Sequence, residues 1–239
     1  MEDWFSRTQQ LIGFDKFSLL QQSKVLVVGI GGVGAYAAEM LCRAGIGNIT
    51  IIDGDTINKT NINRQLIALH STLNQPKVNI LAQRLQDINP ELILDAQYQF
   101  IEKEEIDKII KNNRNDFVVD AIDTLSPKIA LITACLKNKT KIISSMGAGG
   151  RIDPSKITFA DISETYHCGL AKAVRKRLQT LGIKKGLKVV FSTEQTERKS
   201  IIRTDEERNK KSTVGTISYL PAIFGCYLAS YTIRKLIGE

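Results

Sequence analysis

Short apolar, β-branched runs alternate along this chain with longer stretches in which apolar positions recur every three to four residues. One run covers 25–28 and leads directly into glycines; others lie at 49–52, near Leu92, at 116–123 and near Ile142. The run 25–28, short and without polar alternation, predicts a parallel strand covered on both faces, and 116–123 predicts another buried strand. Helical periodicity between them predicts helices over 34–44, 77–89, 106–113 and 128–138. The alternation predicts an α/β class: a Rossmann-like, doubly wound, mainly parallel sheet with helices on both faces and a small C-terminal extension. Runs at 157–160 and 188–191 extend the sheet, and the polar, charge-rich stretch 194–213 predicts a mobile loop over the site. The uncharged segment 214–233 is about long enough to span a bilayer. Gly215, Pro221 and Gly225 interrupt it, however, and Thr216, Ser218, Ser230 and Thr232 suit a buried helix or a subunit interface, leaving membrane association as the alternative. At 239 residues the chain suits one domain, with a nucleotide-binding core at 24–150 and a substrate-binding region at 151–239.

The glycines carry the first chemical signal. Gly29, Gly31, Gly32 and Gly34 stand between a strand and a helix, where glycine allows a tight turn, close approach of a phosphate, and a helix N-terminus aimed at the anion. Asp53 ends the next strand, placed to accept hydrogen bonds from ribose hydroxyls. A hydride-transfer dinucleotide is the default for such a fingerprint, but the residues after Asp53 point to phosphate chemistry. Asp55 is a second carboxylate. If 61–65 forms a helical turn, Asn61 and Arg64 converge on one ligand, and Lys77, behind a proline suited to a helix start, adds a point charge. Taken singly, each residue also fits a solvated polar loop. Asp123, at the end of the run beginning with Asp116, is a candidate magnesium ligand at a carboxyl edge where open α/β sheets bind ligands; the alternative is a helix N-cap.

These elements, GIGGVG, DGD, N-x-N-R-Q, QPK, the INP at Ile88 to Pro90 and the DAID at Asp120 to Asp123, resemble in order and spacing the ubiquitin-activating-type enzymes, which adenylate carboxylates with ATP. The resemblance implies that Asp53 holds the ribose, that Asn61, Arg64 and Lys77 contact the phosphates, and that Asp123 holds Mg2+. It further implies a homodimer whose sites are completed across the interface, with Arg7 of Phe5-Ser6-Arg7 as the donated arginine; the alternative for Arg7 is a surface position on a frayed terminus. Members serving sulfur-carrier proteins commonly hold zinc on two Cys-x-x-Cys pairs, whereas Cys42, Cys135, Cys168 and Cys226 are widely separated. Cys42, Cys135 and Cys226 read as small buried hydrophobes. Cys168, beside His167, stands where some relatives carry a thioester cysteine, but neighbours on a helix do not face one another.

Downstream, Ser144 to Gly150, Ile152-Asp153-Pro154, Ala160 to Ser163, Gly182 to Gly186 and Val190-Phe191-Ser192 resemble one branch, the tRNA threonylcarbamoyladenosine dehydratases. That resemblance implies ATP-dependent activation of the free carboxylate of the threonylcarbamoyl group on the adenosine beside the tRNA anticodon and closure to a cyclic form, with no transfer cysteine, since the nucleophilic nitrogen is tethered in the same base. The charge pattern fits a nucleic acid partner. The net charge is +8 and the pI about 9.3, with the excess late in the chain: Lys172, Arg175, Lys176, Arg177, Lys184, Lys185 and Lys188, then Arg198, Lys199, Arg203, Arg208, Lys210 and Lys211. A solvated helix face is the alternative for the first group. A cytoplasmic protein is expected, without an apolar leader and with unpaired cysteines. Two other functions stay open: an adenylyltransferase for a ubiquitin-like sulfur carrier, and a non-catalytic nucleotide-binding scaffold. A sulfur-acceptor partner is possible on family grounds alone.

Overall fold

Strand β1 (Lys24–Val28) sends Val25 and Val27 into one hydrophobic cluster and Leu26 and Val28 into the other, so its unbroken apolar run reflects burial on both faces. The computed structural model describes residues 3–101, 103–113, 115–196, 201–203 and 212–239. Around β1 stand β2 (Asn48–Asp53), β3 (Ile93–Tyr98), β4 (Phe117–Asp120), β5 (Ile142–Ser145), β6 (Ile157–Asp161) and β7 (Lys188–Ser192), in the order β3-β2-β1-β4-β5-β7-β6. All neighbours are parallel except β6, which runs against β7. The order turns back between β1 and β4, and a crevice outside the carboxyl ends of these strands is where such a sheet binds ligands.

One face is covered by α2 (Phe14–Gln22), α3 (Gly34–Arg43), α4 (Lys77–Ile88) and α8 (Tyr219–Leu236), the other by α5 (Lys103–Asn113), α6 (Leu125–Lys137) and α7 (Gly169–Thr180). The C-terminal helix is part of the central packing. Gly225 of α8 lies so close to α3 that a Cβ there would stand 2.5 Å from Val33 O. Leu220, Phe224, Leu228 and Ala229 of α8 lie in the core, and among the described residues no helix is long and apolar enough to cross a membrane.

The structure differs from the sequence expectations in four places. The run 116–123 is a strand only over Phe117–Asp120, because the chain leaves the sheet there to begin α6. Two short helices, α1 (Ser6–Ile12) and α2, precede β1, separated by Gly13 at φ +86°; neither has a side-chain N-cap to announce it. The segment 194–213 contains an antiparallel pair, β8 (Ile201–Arg203) with β9 (Ser212–Val214), while 197–200 and 204–211, with the basic Arg198, Lys199, Arg208, Lys210 and Lys211, lie outside the described residues. Cys42 and Cys135 are buried as expected, and burial pushes their thiols up to about 11 and about 12; Cys226 is exposed, on the outer side of α8.

Candidate active site

At the end of β1 the chain enters the glycine turn with Gly29 at φ +80° and its N–H donated to Ile52 O at 2.9 Å. A Cβ on Gly29 would stand 2.9 Å from Ala121 O, and one on Gly34 only 1.8 Å from Gly29 O. The turn is thus clamped between the loop after β4 and the first residue of α3, and the glycines make that approach possible. Asp53 fixes the turn from β2: one carboxylate oxygen accepts Ile30 N–H at 2.8 Å and the other Asp55 N–H at 2.8 Å. Burial pushes the Asp53 carboxyl above its ordinary value, against the pull of the Lys77 charge and the two N–H groups.

The polar motif after β2 folds onto this turn. Arg64 N and Gln65 N both donate to Asn61 O, forming the helical turn the spacing predicts. Asn61 is buried, its side-chain oxygen taken by Asn58 N–H at 3.1 Å, so its amide N–H2 is the group available for a ligand. A Cβ on Gly32 would stand 3.5 Å from Arg64 Cγ, which places Arg64 against the turn; its guanidinium donates to Thr60 O and Asn63 Oδ1, both at 2.9 Å. Lys77 is buried and its ammonium meets the exposed Asp55 carboxylate at 2.7 Å. Gln65 belongs to the same cluster, though only its place in the motif marked it in the sequence. Its Nε2 lies 3.7 Å from where a Gly31 Cβ would be, and its buried Oε1 finds no hydrogen-bond partner among the described residues. A buried, unpaired amide oxygen is costly, by about 1–3 kcal/mol, and calls for a donor from a ligand. The orphaned amide and the open glycine cradle together fit a nucleotide.

On the other side of the crevice, β4 ends at Asp120, and Asp123 is exposed beyond it. Thr124, the residue after Asp123, occupies the N-cap position of α6 and makes no side-chain cap bond. Sequence reasoning passed over what supports this loop. Asp120 and Lys128 form an ion pair at 2.8 Å with neither side chain exposed. Asp120 also accepts Ile122 N–H at 3.1 Å and Ser144 Oγ–H at 2.6 Å, while Lys128 donates to Ile122 O at 2.9 Å. Both polar groups of Ile122, the residue before Asp123, are thereby held.

A second unannounced group holds the loop after β5. Arg151 is buried, and among the described residues its guanidinium donates to main-chain oxygens: Gly147 O at 2.6 Å, Gly149 O at 3.2 Å, His167 O at 2.8 Å and Glu194 O at 3.1 Å. Cys168 is buried as the N-cap of α7, its sulfur accepting Ala171 N–H at 3.5 Å. From there α7 runs toward the amino ends of the strands. Lys172 and Lys176 are exposed one turn apart along it, and Arg177 is exposed beside them; Lys184 and Lys185 are exposed past its end, near the start of β7. Arg175 is half-buried and donates to Thr165 O at 2.9 Å and Thr165 Oγ1 at 2.6 Å, so the fold engages it. Arg7 is exposed on α1, whose neighbouring Phe5 stacks on Phe17 at 4.7 Å. Phe17 lies against Gly45 before β2, so within one chain Arg7 belongs to the edge of the sheet opposite the glycine turn.

Comparison with known proteins agrees with this architecture along the whole chain. A tRNA threonylcarbamoyladenosine dehydratase of Bacillus subtilis (strain 168) is 39% identical over 98% of this chain and 95% of its own length. Crystal structures of the Escherichia coli tRNA N6-threonylcarbamoyladenosine dehydratase, in complex with ATP and with AMP, superpose with a TM-score of 0.89 for each; they share 34% and 35% sequence identity and cover 98% of this chain and 93% and 94% of theirs. The molybdopterin-synthase adenylyltransferase of E. coli (strain K12), 32% identical, is matched over 65% of this chain and 61% of its own length. The ThiF family model matches residues 5–239, and the chain belongs to the ThiF family.

Proposed function

We propose that this chain is an ATP-dependent tRNA threonylcarbamoyladenosine dehydratase. The observation that carries the reading is the convergence of the Gly29–Gly34 turn, Asp53, Arg64, Gln65 and Lys77 beside the loop bearing Asp123, in a chain alike along 98% of its length to a dehydratase solved with ATP. The carrier-protein alternative is supported over a smaller part of the chain, and a non-catalytic scaffold has no use for Arg64, Lys77 and Asp123 together.

ATP lies with its ribose hydroxyls on Asp53 and its phosphates over the glycine turn, met by the Asn61 amide, Arg64 and Lys77. The substrate carboxylate attacks the α-phosphorus and pyrophosphate leaves, giving an acyl adenylate. Negative charge builds on the phosphoryl oxygens during this step, and cations already fixed in place stabilise it without reorganisation. Lys77 qualifies because Asp55 and burial hold it in place. The tethered nitrogen then attacks the acyl carbon, loses its proton and expels AMP; the sum is loss of one water. Asp123 suits Mg2+, which keeps most of its coordination for phosphate oxygens and water and takes one or two carboxylates from protein; when bound it neutralises phosphate charge.

The exposed Lys172, Lys176, Arg177, Lys184 and Lys185 make a basic track for the tRNA backbone. The position of Arg7 favours donation from a second copy in a homodimer. A tRNA substrate and four unpaired cysteines suit the cytoplasm. Incubation with ATP, Mg2+ and threonylcarbamoyl-modified tRNA, followed by nucleoside mass analysis, tests the reading: the modified adenosine should lose one water as AMP appears. An unchanged mass with ATP–pyrophosphate exchange stimulated by a small carrier protein would replace it.

A further inference from the structure

Between β6 and α7 the chain exposes two adjacent aromatic rings that the chemistry above does not use. Tyr166 is 51% exposed, and His167 is exposed beside it with ring centroids 5.1 Å apart in an edge-on arrangement. Tyr166 also meets Phe191 of β7 in an edge-on arrangement at 5.6 Å. The His167 ring is held by Nδ1 against Thr193 O at 3.1 Å, in the tautomer that donates from Nδ1. Its backbone sits at φ +51°, a conformation disfavoured for a residue with a side chain and maintained only where surrounding contacts impose it. One such contact is Arg151, which joins His167 O to Gly147 O and so ties this pair to the loop leaving β5. The β5 strand pairs directly with β4, whose exit carries Asp123. The rings therefore stand beside the carboxyl edge where the adenylate forms, and exposed Lys172 comes next on the first turn of α7.

We infer that Tyr166 and His167 form a stacking platform for unpaired bases of the tRNA anticodon loop next to the reacting adenosine. This rests on the tRNA reading above and adds the means of recognition. An exposed ring held rigidly in a positively charged neighbourhood is the arrangement by which proteins grip single-stranded nucleic acid: cations follow the backbone, and rings take the faces of splayed bases. The run Tyr166 to Arg177 carries four cations and no carboxylate, with exposed Glu164 before it and Glu194 next to the Thr193 that holds His167. Stacking places a base by its face and tolerates sequence.

The test is equilibrium binding of a synthetic anticodon stem-loop RNA across a salt series, with ATP affinity measured for each variant as a check on the fold. Tyr166→Ala should weaken RNA binding by about tenfold, in the range known for base–aromatic stacking, with the slope against salt unchanged. Tyr166→Phe and Tyr166→Trp keep a ring and should bind within about twofold of the native protein or more tightly. Lys172→Ala should instead lower the salt slope by about one. Equal binding by native protein and Tyr166→Ala would overturn the platform while leaving the tRNA reading standing, as would a tenfold loss in Tyr166→Phe and Tyr166→Trp. Failure of the native protein to bind the stem-loop at any salt would remove both.

Discussion

Lys128→Met tests whether the buried pair under the Asp123 loop is a structural hinge of the site. The ammonium it removes meets Asp120 at 2.8 Å with no exposure on either side, and it also donates to Ile122 O. Methionine fills similar space, so the change is mainly one of charge. Asp120 would keep the Ser144 hydroxyl and the Ile122 N–H, but an uncompensated buried carboxylate costs about 3–5 kcal/mol. For a chain of this size each kcal/mol lowers Tm by about 2–4 °C, so the variant should melt about 6–20 °C lower. Pairing it with Asp120→Asn removes the stranded charge while keeping an acceptor for Ile122, and should recover at least about 1.5 kcal/mol in a double-mutant cycle by urea unfolding. In the double variant Ile122 O has lost its donor, so the loop carrying Asp123 is looser; kcat should fall more than KM for ATP rises, because the glycine turn and Asp53 are untouched. A cost below about 1 kcal/mol for Lys128→Met, or additive single and double variants, would refute the coupling.

The location of Arg7 leads to a complementation assay. Mixing the inactive variants Arg7→Ala and Arg64→Ala should restore on the order of one quarter of native activity if Arg7 acts across a dimer, since half of randomly exchanged dimers carry one intact site, and none if it acts within its own chain. Glu39, buried between Arg43 at 2.8 Å and Arg84 at 2.6 Å, ties α3 to α4; burial pushes its carboxyl up, but the two arginines outweigh this and hold it below its ordinary value. A depressed carboxylate stabilises the fold above its unfolded-state pKa and loses that contribution as pH falls through the folded value, so Glu39→Gln should cost about 1 kcal/mol at pH 7 and progressively less below pH 4.5; a constant difference across that range in urea unfolding would contradict the assignment. Gly34→Ala should lower both stability and ATP affinity, although helix propensity alone favours alanine by about 1 kcal/mol, because its Cβ would fall 1.8 Å from Gly29 O; a calorimetric gain in stability would show that the turn yields.

How much of this site the sequence announces depends on how each part is held. The turn at Gly29 and Gly34 was legible because left-handed backbone and close main-chain approach exclude nearly every other residue, so the geometry is written in residue type. Asp53, Arg64 and Lys77 were legible because their residue types and order form one motif, and that order fixes where they emerge beside the glycine turn. Asp120 and Lys128 were not: Asp120 looked like the interior of a strand running on to Asp123, and nothing in the spacing shows that a lysine one turn into α6 folds back beneath it. Arg151 was less visible still. Its partners are four main-chain oxygens, and a carbonyl belongs to every residue, so no side-chain pattern marks the site it builds. The groups that touch nucleotide in the proposed mechanism are thus those that sequence reveals, and the groups that hold the surrounding loops are those that only the fold reveals. Loss of the Arg64 guanidinium should remove chemistry and leave the fold, whereas loss of Lys128 or Arg151 should disturb both, because the same bonds that bury their charge also set where the ligand-bearing loops stand.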